Sequence, residues 1–326
     1  MSVQEIAKRA GVSTATVSRV LNRSNLVRPK TRERVEAVIA ELGYQINVLA
    51  RNLRTAESRL LLAMVPDFSN PFYAEIVRGI ETTARSEGYH VLLCDTGADQ
   101  PDARPYFDML RNRLADGAIC LDPDTTQHAL RQEMAGLSWV ACCEFDPAAG
   151  VPYVGIDNEQ AAFDAVSHLI ARGRKRIALL NSDDRYMYAR QRRRGYETAL
   201  AQAGLEALPI GQTMGLSFED GRNAVAELLK GPVRPDAIFA VSDTLAIGAI
   251  RGLRDAGLWV PDNVSVVGFD NIPIGTMVEP QLTTVEQPMR QLGETAARML
   301  LQRLEDPEGE ARGVLLSHRL VVRESA

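Results

Sequence analysis

Residues 13–22 read STATVSRVLN, and this segment has two unlike faces. Ser13 is suited to begin a helix, because its hydroxyl can accept a hydrogen bond from a free backbone N–H of the first turn. Val17, Val20 and Leu21 then recur at the spacing of a buried helical stripe. The opposite face carries small side chains and one arginine: Thr14, Ala15, Ser18 and Arg19. The segment predicts a short amphipathic helix whose outer face lies either in solvent or flat against a partner.

Two more helices are predicted around this segment. Ser2 and Glu5 fit a capping box, and the apolar stripe that follows them ends at Gly11. A third helix follows Pro29 and carries an apolar side made of Val35, Val38, Ile39 and Leu42, with Gly43 as its stop. Two short helices joined by a glycine turn, with a third closing a small core, are typical of a helix-turn-helix.

The outer face of the second helix carries side chains suited to DNA. In a helix-turn-helix this helix enters the major groove, and its first residues reach the base edges. Arg19 can pair with O6 and N7 of guanine, and Thr14 and Ala15 offer methyl groups to thymine. Phosphate contacts, which fix position but do not read sequence, are expected from Ser18, Asn22, Thr31 and Arg32.

The charge of the chain is distributed unevenly. The whole sequence carries −5, from 37 Lys and Arg against 42 Asp and Glu. Residues 1–59 hold eleven basic and five acidic side chains, which gives +6, so the remaining residues carry −11. A basic N-terminal segment on an acidic body indicates that this segment meets a polyanion. The charge therefore favours DNA contact over a solvated face for residues 13–22.

Residues 43–59, GYQINVLARNLRTAESR, predict a linker with a short helix after Asn47. Such a helix is too short to be stable alone in water, so it is expected to fold on contact. Leu53 lies near two arginines and fits a wedge that opens a base step in the minor groove, with contacts also from Ala50 and Arg54. The alternative is a plain interdomain linker whose Leu53 packs on the next domain.

From Leu60 onward, apolar runs such as LLLAMVP, HVLLCD and DAIFAVSD alternate with helical patterns near 72–88, 101–115, 125–136, 159–172, 188–203, 218–230 and 244–256. Buried strands that alternate with amphipathic helices predict parallel sheets with helices on both faces. Seven or more such units are too many for a single sheet, and residues 154–158 are typical of a crossing between two sheets. The body is therefore expected to have two α/β lobes with a cleft between them.

Several classes of protein are disfavoured by what the sequence lacks. It has no membrane-length apolar run and no secretion leader, so a cytoplasmic protein is expected. The four cysteines, Cys94, Cys120, Cys142 and Cys143, lie in strand-like runs without metal-ligand spacing. They predict reduced core residues, with the adjacent Cys142 and Cys143 on opposite faces of a strand. No glycine fingerprint, P-loop, nucleophile elbow or HExxH motif occurs, so neither an enzyme nor a cofactor is predicted.

Ligands of parallel α/β sheets bind beyond the carboxyl ends of the strands, and the residues there are the candidate ligand contacts. They are Phe72, Tyr73, Asp122, Glu144, Phe145, Tyr186, Tyr188, Arg192, Ser242, Asp243 and Asp270. Aromatic faces combined with an arginine and a carboxylate suit a small ring that carries hydroxyls. Within the arginine run 190–194, Arg192 is the member expected to point inward, because it lies four residues from Tyr196. For Asp270 the alternative is a simple turn residue at the end of a strand.

The chain resembles the LacI family of bacterial repressors in both parts. The head and hinge resemblance rests on VQEIAKRAGVSTATVSRVLN, KTRERVEAVIAELGY and NVLARNLR; that of the body rests on VPDFSNPFYAEIVRGIE, GIDNEQAAFDAVSHLIARGRKRIALL, SDTLAIGAIRGLRDAGLWVPDNVSVVGFDN and PQLTTVEQP. Ile46 stands where the family's hinge usually has proline, which would make the hinge harder to fold without DNA. Arg28 and Pro29 stand where the third helix usually begins with a small hydroxyl.

The resemblance implies a sugar-binding-protein-like effector domain and roles for particular residues. Arg192 and Asp270 match the arginine and aspartate with which the family clamps its effector, and Phe72 matches its ring-stacking aromatic. Tyr186, Tyr188 and Leu216 stand where a purine-binding relative has other polar groups, which disfavours a free purine base. STATVSR and SRLLLAMVPDFSNPFYAEIVRGIE most resemble cytidine-responsive members, so a nucleoside or a ribose-type pentose is the expected effector.

Together these features predict a homodimeric transcriptional repressor that binds a near-palindromic operator and one small-molecule effector. The expected organisation is a DNA-binding head at 1–45, a hinge helix and linker at 46–58, and an effector-binding and dimerisation domain at 59–326. The sequence leaves two alternatives. A binding protein that does not regulate is disfavoured by the intact head, and a sugar- or nucleoside-metabolising enzyme fused to a DNA-binding head would reveal itself by turnover.

Overall fold

The computed structural model describes residues 2–21, 26–43, 57–97, 103–121 and 133–326. It divides into two units, Met1–Ser58 and Arg59–Ala326, which are described separately. Asn22, Ala50, Leu53, Arg54 and Asp122, all predicted site residues, lie outside the described ranges. No helix in the described part of the chain is long and apolar enough to cross a lipid bilayer.

The first unit is a head of three helices: Val3–Ala10 (α1), Thr14–Leu21 (α2) and Pro29–Glu41 (α3). The Ser2 hydroxyl accepts a hydrogen bond from the Glu5 N–H at the start of α1, and α1 ends at Gly11, whose left-handed backbone (φ 62°) suits glycine. The three helices bury one small core, which contains Ile6, Val17, Val20 and Val35. The predicted helix-turn-helix is confirmed in its helices and in its core.

The second unit has two lobes, each built on a six-stranded sheet. Its strands are Leu60–Val65 (β1), His90–Asp95 (β2), Gly117–Cys120 (β3), Trp139–Cys142 (β4), Tyr153–Ile156 (β5), Ile177–Asn181 (β6), Gly211–Gln212 (β7), Ala237–Ala240 (β8), Ser265–Asp270 (β9), Thr283–Glu286 (β10), Gly313–Leu316 (β11) and Arg319–Val321 (β12). Its helices are Pro71–Ser86 (α4), Arg104–Arg111 (α5), Asn158–Ala171 (α6), Met187–Gln202 (α7), Phe218–Leu228 (α8), Asp243–Asp255 (α9) and Met289–Glu305 (α10).

The sheet of the first lobe is parallel and runs in the order β11-β5-β4-β3-β1-β2. One apolar core joins this sheet to α4 and α10 through Ile76 and Leu292, and a second core joins it to α5 through Phe107. Helices α4 and α10 approach closely at Gly79 and Gly293, where an added Cβ would collide with the backbone of the opposite helix.

The sheet of the second lobe runs β12-β10-β9-β8-β6-β7. Its strands are parallel except β12, which is antiparallel to β10 at one edge. Helices α6 to α9 cover this sheet around a core that includes Tyr196, Phe239 and Phe269. The predicted pair of α/β lobes is confirmed, and the antiparallel edge strand is an addition to it.

Within the described residues the chain passes between the lobes three times. It leaves the first lobe after β5 and begins α6 in the second, returns from β10 to α10, and crosses again from β11 to β12. Ile156–Asn158 form the first crossover, as the sequence predicted. We refer below to residues 287–288 and 317–318 as the second and third crossovers.

The prediction that Cys142 and Cys143 point to opposite faces of a strand is wrong. Strand β4 ends at Cys142, and the Glu144 N–H donates to the Cys142 carbonyl at 2.9 Å, which closes a three-residue turn around Cys143 (φ 72°). The turn ends the alternation of the strand and brings the two sulfur atoms within 3.8 Å. All four cysteines are free thiols, and Cys94, Cys120 and Cys142 are buried.

Candidate functional site

The predicted DNA-contacting residues lie on the head as the helical periodicity requires. Thr14, Ala15 and Arg19 are exposed on α2, while Val17 and Val20 of the same helix are buried in the core. The Ser13 hydroxyl accepts from the Thr16 N–H at 3.2 Å and so caps this helix. The half-buried members of the predicted set are Ser18 on α2 and Thr31 and Arg32 in the first turn of α3.

Arg192 lies at the centre of the cleft between the two lobes of the second unit. It projects from α7 and is only 6% exposed. Its Nε donates to Oδ1 of Asn158 at 2.9 Å, and one terminal nitrogen donates to the Val241 carbonyl at 2.5 Å. The guanidinium carbon lies 3.6 Å from the centroid of the Phe269 ring, so an aromatic face supports the cation. Burial lowers the pKa of Arg192, and the nearby Asp270 carboxylate opposes that shift.

Asp270 faces the same terminal nitrogen of Arg192 at 3.9 Å. It ends β9 with a backbone φ of 119°, a conformation that side chains of L-residues rarely adopt. Its Oδ1 accepts from Nε2 of Gln287 at 2.7 Å. Burial raises the pKa of Asp270 to about 6, while Arg192 and Gln287 act in the opposite direction. The candidate aspartate is thus a buried, oriented group and not a solvated turn residue.

Behind Asp270 lies a second buried carboxylate, Asp243, at the start of α9. It accepts from the Thr284 hydroxyl at 2.5 Å and from the Ile272 N–H at 2.8 Å. Burial and the charge of Asp270 raise the pKa of Asp243 well above its ordinary range. Asp243 does not line the cleft cavity, and its contacts hold the turn that follows Asp270.

Glu144 brings a carboxylate from the first lobe to the second. Its two oxygens accept from the backbone N–H groups of Met187 at 2.9 Å and Tyr188 at 3.0 Å, which begin α7. A carboxylate at a helix N-terminus is favoured both by the free N–H groups and by the helix dipole. Burial nevertheless raises the pKa of Glu144 to about 7, and the two backbone hydrogen bonds only limit this rise.

Aromatic side chains close the cleft from both lobes. Phe72 is the second residue of α4, two positions after the capping residue Asn70, and its ring meets that of Tyr73 edge to face with the centroids 5.2 Å apart. The Tyr188 ring lies 5.0 Å from the guanidinium carbon of Arg192, and its hydroxyl oxygen accepts from Ser182 at 2.7 Å. Burial raises the pKa of Tyr73, so its phenol stays neutral across the physiological range.

These side chains surround one cavity of about 40 Å³. At roughly 10–15 Å³ for each enclosed water, this volume corresponds to a few water molecules and is smaller than a sugar ring. Predicted residues that line it are Phe72, Tyr73, Glu144, Tyr188, Arg192, Leu216, Ser242 and Asp270. Lining residues that were not predicted are Asn70, Leu121, Cys143, Asn158 and Gln287.

Two other predicted residues do not line the cavity. The Tyr186 ring stacks on Tyr188 with centroids 5.5 Å apart, and its hydroxyl accepts from Arg185 at 2.7 Å. Phe145 is buried in the core of the first lobe and stacks on Tyr153 at 4.2 Å. For Asn158 and Gln287 a signal was available, because each lies at the point where the chain crosses between the lobes.

A larger cavity of about 430 Å³ lies beside the edge strand β7 and is mostly apolar, with Leu208, Ile210 and Leu228 among its lining residues. None of the predicted effector residues reaches it. We place the candidate effector site in the smaller cavity, because buried charged and aromatic groups from both lobes converge there. Among the described residues, no cluster of His, Cys, Asp or Glu is arranged to hold a metal ion.

Comparison with known proteins agrees with both units. The family model of bacterial regulatory proteins of the lacI family matches residues 2–47. The model of periplasmic binding proteins and the sugar binding domain of the LacI family matches residues 58–324. The chain belongs to the LacI family. The helix-turn-helix head and the two-lobed parallel fold predicted from sequence are those of this family.

Individual relatives match most or all of the LacI-family chain. The HTH-type transcriptional repressor CytR of Escherichia coli K12 is 36% identical over 326 residues, which cover 99% of this chain and 96% of that protein. The lac repressor dimer bound to operator and the anti-inducer ONPF superposes with a TM-score of 0.88 at 27% identity and covers 100% of this chain and 98% of that chain. An Enterococcus faecium LacI-family regulator with bound ribose has a TM-score of 0.74 at 29% identity, over 82% of this chain and 98% of that chain.

This LacI-family chain is therefore a transcriptional repressor with a small-molecule effector domain. The relatives are transcriptional regulators and not enzymes. The prediction of a transcriptional repressor is therefore confirmed, and the alternative of an enzyme fused to a DNA-binding head is rejected.

Proposed function

We propose that the chain works in the cytoplasm as a homodimeric repressor, with a DNA-binding head at 1–45, a hinge at 46–58 and an effector-binding and dimerisation unit at 59–326. A two-fold dimer reads a two-fold site, so the operator is a near-palindrome with one half-site for each head. The similarity to the operator-bound lac repressor dimer supports this arrangement.

Within each half-site, α2 lies in the major groove with Thr14, Ala15 and Arg19 toward the bases. Ser18, Asn22, Thr31 and Arg32 contact phosphates and fix the position of the head. The paired hinges place Leu53 in the minor groove at the centre of the operator, with Ala50 and Arg54 beside it. The exposed face of α2 and the +6 charge of residues 1–59 support these roles.

The effector is a neutral nucleoside or a ribose-type pentose bound in the cleft between the lobes. One observation carries this proposal: Arg192 and Asp270 lie 3.9 Å apart, both nearly fully buried, between the Phe269 and Tyr188 rings and beside Asn158. Such a pair offers donors and an acceptor to neighbouring hydroxyls, and aromatic faces cover the flat sides of a ring. Phe72, Tyr73, Leu216, Ser242 and, outside the described residues, Asp122 complete the proposed contacts, and Tyr186 supports Tyr188 from behind.

The charges around the cavity favour a ligand without a phosphate. Arg192 is the cation among the described lining residues, and it already donates to Asn158 and Val241. Glu144 and Asp270 are acids, and burial already raises both pKa values. A phosphate would add negative charge to a site where ionised carboxylates are disfavoured.

Effector binding also requires the lobes to move. The closed cavity of about 40 Å³ is too small for a pentose, so the ligand enters a more open cleft. Opening breaks the hydrogen bonds from Met187 and Tyr188 to Glu144. The effector then shifts the repressor between open and closed states by its difference in affinity for the two, which sets the upper limit of its effect on DNA binding.

Fluorescence anisotropy tests the proposal on a labelled DNA fragment from upstream of the protein's own gene, at fixed salt concentration. The titration is repeated with cytidine, uridine, adenosine, ribose, ribose 5-phosphate and free bases. We expect one neutral nucleoside or ribose to shift the operator-binding curve, while ribose 5-phosphate does not.

Three results would contradict different parts of the proposal. Operator binding that no compound shifts would leave the head assignment intact and overturn the effector class. A larger shift with ribose 5-phosphate than with ribose would overturn the charge argument. A dimer that dissociates before it binds the fragment, seen by sedimentation, would overturn the two-fold operator.

A further inference from the structure

The turn that follows Asp270 is strained and closely held. Asp270 and Asn271 are consecutive non-glycine residues with positive φ, 119° and 62°. Such conformations persist where the surroundings over-determine them, and they concentrate at functional sites. Here the Asn271 N–H donates to the Thr284 hydroxyl at 3.3 Å, and the next N–H, of Ile272, donates to Asp243.

The side chain of Asn271 does not line the cavity and joins β10 to the segment that follows β12. Its Nδ2 donates to Oε2 of Glu286 at 3.1 Å, and its Oδ1 accepts from Arg323 at 2.6 Å. The same Glu286 oxygen accepts from Nε of Arg319 at 2.7 Å. Arg323 also donates to the Leu282 carbonyl at 2.6 Å, which fixes the guanidinium against β10.

Two of these partners, Glu286 and Arg319, lie next to the segments in which the chain crosses between the lobes. Glu286 is the last residue of β10 and directly precedes the second crossover, while Arg319 is the first residue of β12 and directly follows the third. Gln287, inside the second crossover, donates to the Asp270 carboxylate at 2.7 Å. The two-residue turn therefore lines the cleft through Asp270 and contacts Glu286, beside the second crossover, through Asn271. Glu286 in turn contacts Arg319, beside the third crossover.

We propose that Asn271 is a positioning residue that couples the effector cleft to the second and third crossovers between the lobes. The inference rests on the proposed function, because it needs an effector that contacts Asp270. When the ligand displaces Asp270, the Asn271 side chain transmits the movement to Glu286 and, through Glu286, to Arg319, so that effector contact and lobe rotation change together.

A simpler role is available and makes a different prediction. Asparagine tolerates positive φ better than most residues, so the alternative is that Asn271 serves the backbone alone. Glycine serves a backbone of φ 62° at least as well. Asn271→Gly therefore preserves the backbone conformation and removes only the two side-chain links, which separates coupling from backbone support.

The experiment measures the coupling factor, the ratio of operator dissociation constants with and without saturating effector. The probe is cytidine, or whichever of uridine, adenosine and ribose shifts the parent protein more. We expect Asn271→Gly to lower the coupling factor by roughly 2- to 30-fold, the range that corresponds to coupling changes of 0.5–2 kcal/mol. Operator affinity without effector should stay within about twofold, which a folding defect would not allow.

A rescue pair guards against a variant that merely fails to fold. Asn271→Asp places two carboxylates opposite each other and should lower the coupling factor as the glycine variant does. Adding Glu286→Gln restores a donor and an acceptor across the same gap and should recover most of the loss. Asn263→Gly, which removes one side-chain hydrogen bond from a turn of the same lobe, is the matched control and should leave the coupling factor unchanged.

Each remaining outcome decides against the inference. An unchanged coupling factor in Asn271→Gly overturns it and leaves the proposed function standing. If melting temperature, effector affinity and coupling factor all fall together and Glu286→Gln does not rescue them, Asn271 has only a structural role. If no compound shifts the parent protein, the proposed effector class fails and this inference fails with it.

Discussion

Oε1 of Glu144 lies 3.0 Å from the backbone nitrogen of Tyr188, and this hydrogen bond joins the two lobes across the effector cleft. Glu144 follows β4 in the first lobe, and Tyr188 is in the first turn of α7 in the second. Arg192 lies one helical turn beyond Tyr188, so the carboxylate holds the helix that carries the central arginine of the cavity. Closure of the cleft and placement of Arg192 therefore depend on the same contact.

The first prediction concerns stability against pH in Glu144→Gln. Burial raises the pKa of Glu144 to about 7 from an ordinary value of 4.5, so the folded state binds this proton more tightly than the unfolded state. The stability that it contributes is complete below about pH 4.5 and is lost as the pH rises through 7. The glutamine variant lacks this loss, so its free energy of unfolding relative to the parent should rise by up to about 3 kcal/mol between pH 4.5 and 8.

Urea unfolding at pH 5, 6, 7 and 8 measures this difference. Asp270, whose pKa burial raises to about 6, titrates in both proteins and cancels in the comparison. Glu310→Gln, at an exposed site with 81% of its side chain accessible, is the control and should give a flat difference. Parallel pH profiles for Glu144→Gln and the parent would show that Glu144 is not the group that burial perturbs.

The second prediction is loss of effector binding in Arg192→Lys. Lysine keeps the charge but offers no planar fork, so the hydrogen bond from Nε to Asn158 is lost along with the support of the Asp270 carboxylate. A hydrogen bond to a charged group is worth about 1.5–3 kcal/mol, so effector affinity should fall roughly 10- to 100-fold. Isothermal titration calorimetry with the active compound of the panel measures it.

Arg193→Lys is a matched control from the same helix. Arg193 is a half-buried neighbour that pairs with Asp184 and Glu197 on the surface and does not line the cavity. Its replacement should leave effector affinity within about twofold. Equal losses of effector affinity in both variants would show that the effector does not contact Arg192.

The fold was largely predictable because burial in parallel α/β sheets leaves a clear pattern. The helix expected near 159–172 is observed at Asn158–Ala171, and the one expected near 188–203 at Met187–Gln202. Helix α10 and strands β10 to β12 were not predicted. They lie in a part of the chain that changes lobes twice, where strand order is set by partners distant in sequence and not by the local pattern.

The site was predictable where one strand end or one helical repeat determines it. Asp270 ends β9, and Tyr188 and Arg192 share a face of α7 four residues apart. Tyr186 precedes that helix and so does not share the face. Cys143 was missed because a tight turn brings it to the cavity, and such a turn leaves no periodic signal in the sequence. Asn158 was missed although the sequence predicted its crossover, because the prediction of ligand contacts rested on strand ends alone.

The third prediction separates base readout from phosphate contact on the head. Arg19→Ala should relax the base preference at one position of each half-site by roughly 1–3 kcal/mol, because Arg19 is exposed on α2 and is proposed to pair with guanine. Arg32→Ala should weaken binding to all sequences alike and lower the slope of log K against log salt by about 1. Binding titrations on operator variants at several salt concentrations test both, and identical behaviour of the two variants would reject the assignment.

The fourth prediction concerns the hinge. Leu53 lies outside the described residues, and the proposal places it as an apolar wedge between base pairs at the operator centre. Leu53→Ala removes most of the wedge, so operator affinity should fall roughly 10- to 100-fold, the equivalent of burying a leucine side chain at about 1.5–3 kcal/mol. Leu53→Met keeps an apolar side chain of similar volume and should retain most of the affinity and the bend.

The measurement is a bend assay by energy transfer between the ends of the operator fragment, alongside anisotropy for affinity and titration of the free protein with effector. The wedge requires that Leu53→Ala lose affinity and bend together while effector affinity stays unchanged. If Leu53 instead packs on the effector unit, the alanine variant should lower effector affinity or melting temperature, and the DNA should bend as before. The two roles of Leu53 therefore predict different defects. A wedge predicts weaker and less bent DNA complexes, whereas packing on the effector unit predicts weaker effector binding or a lower melting temperature.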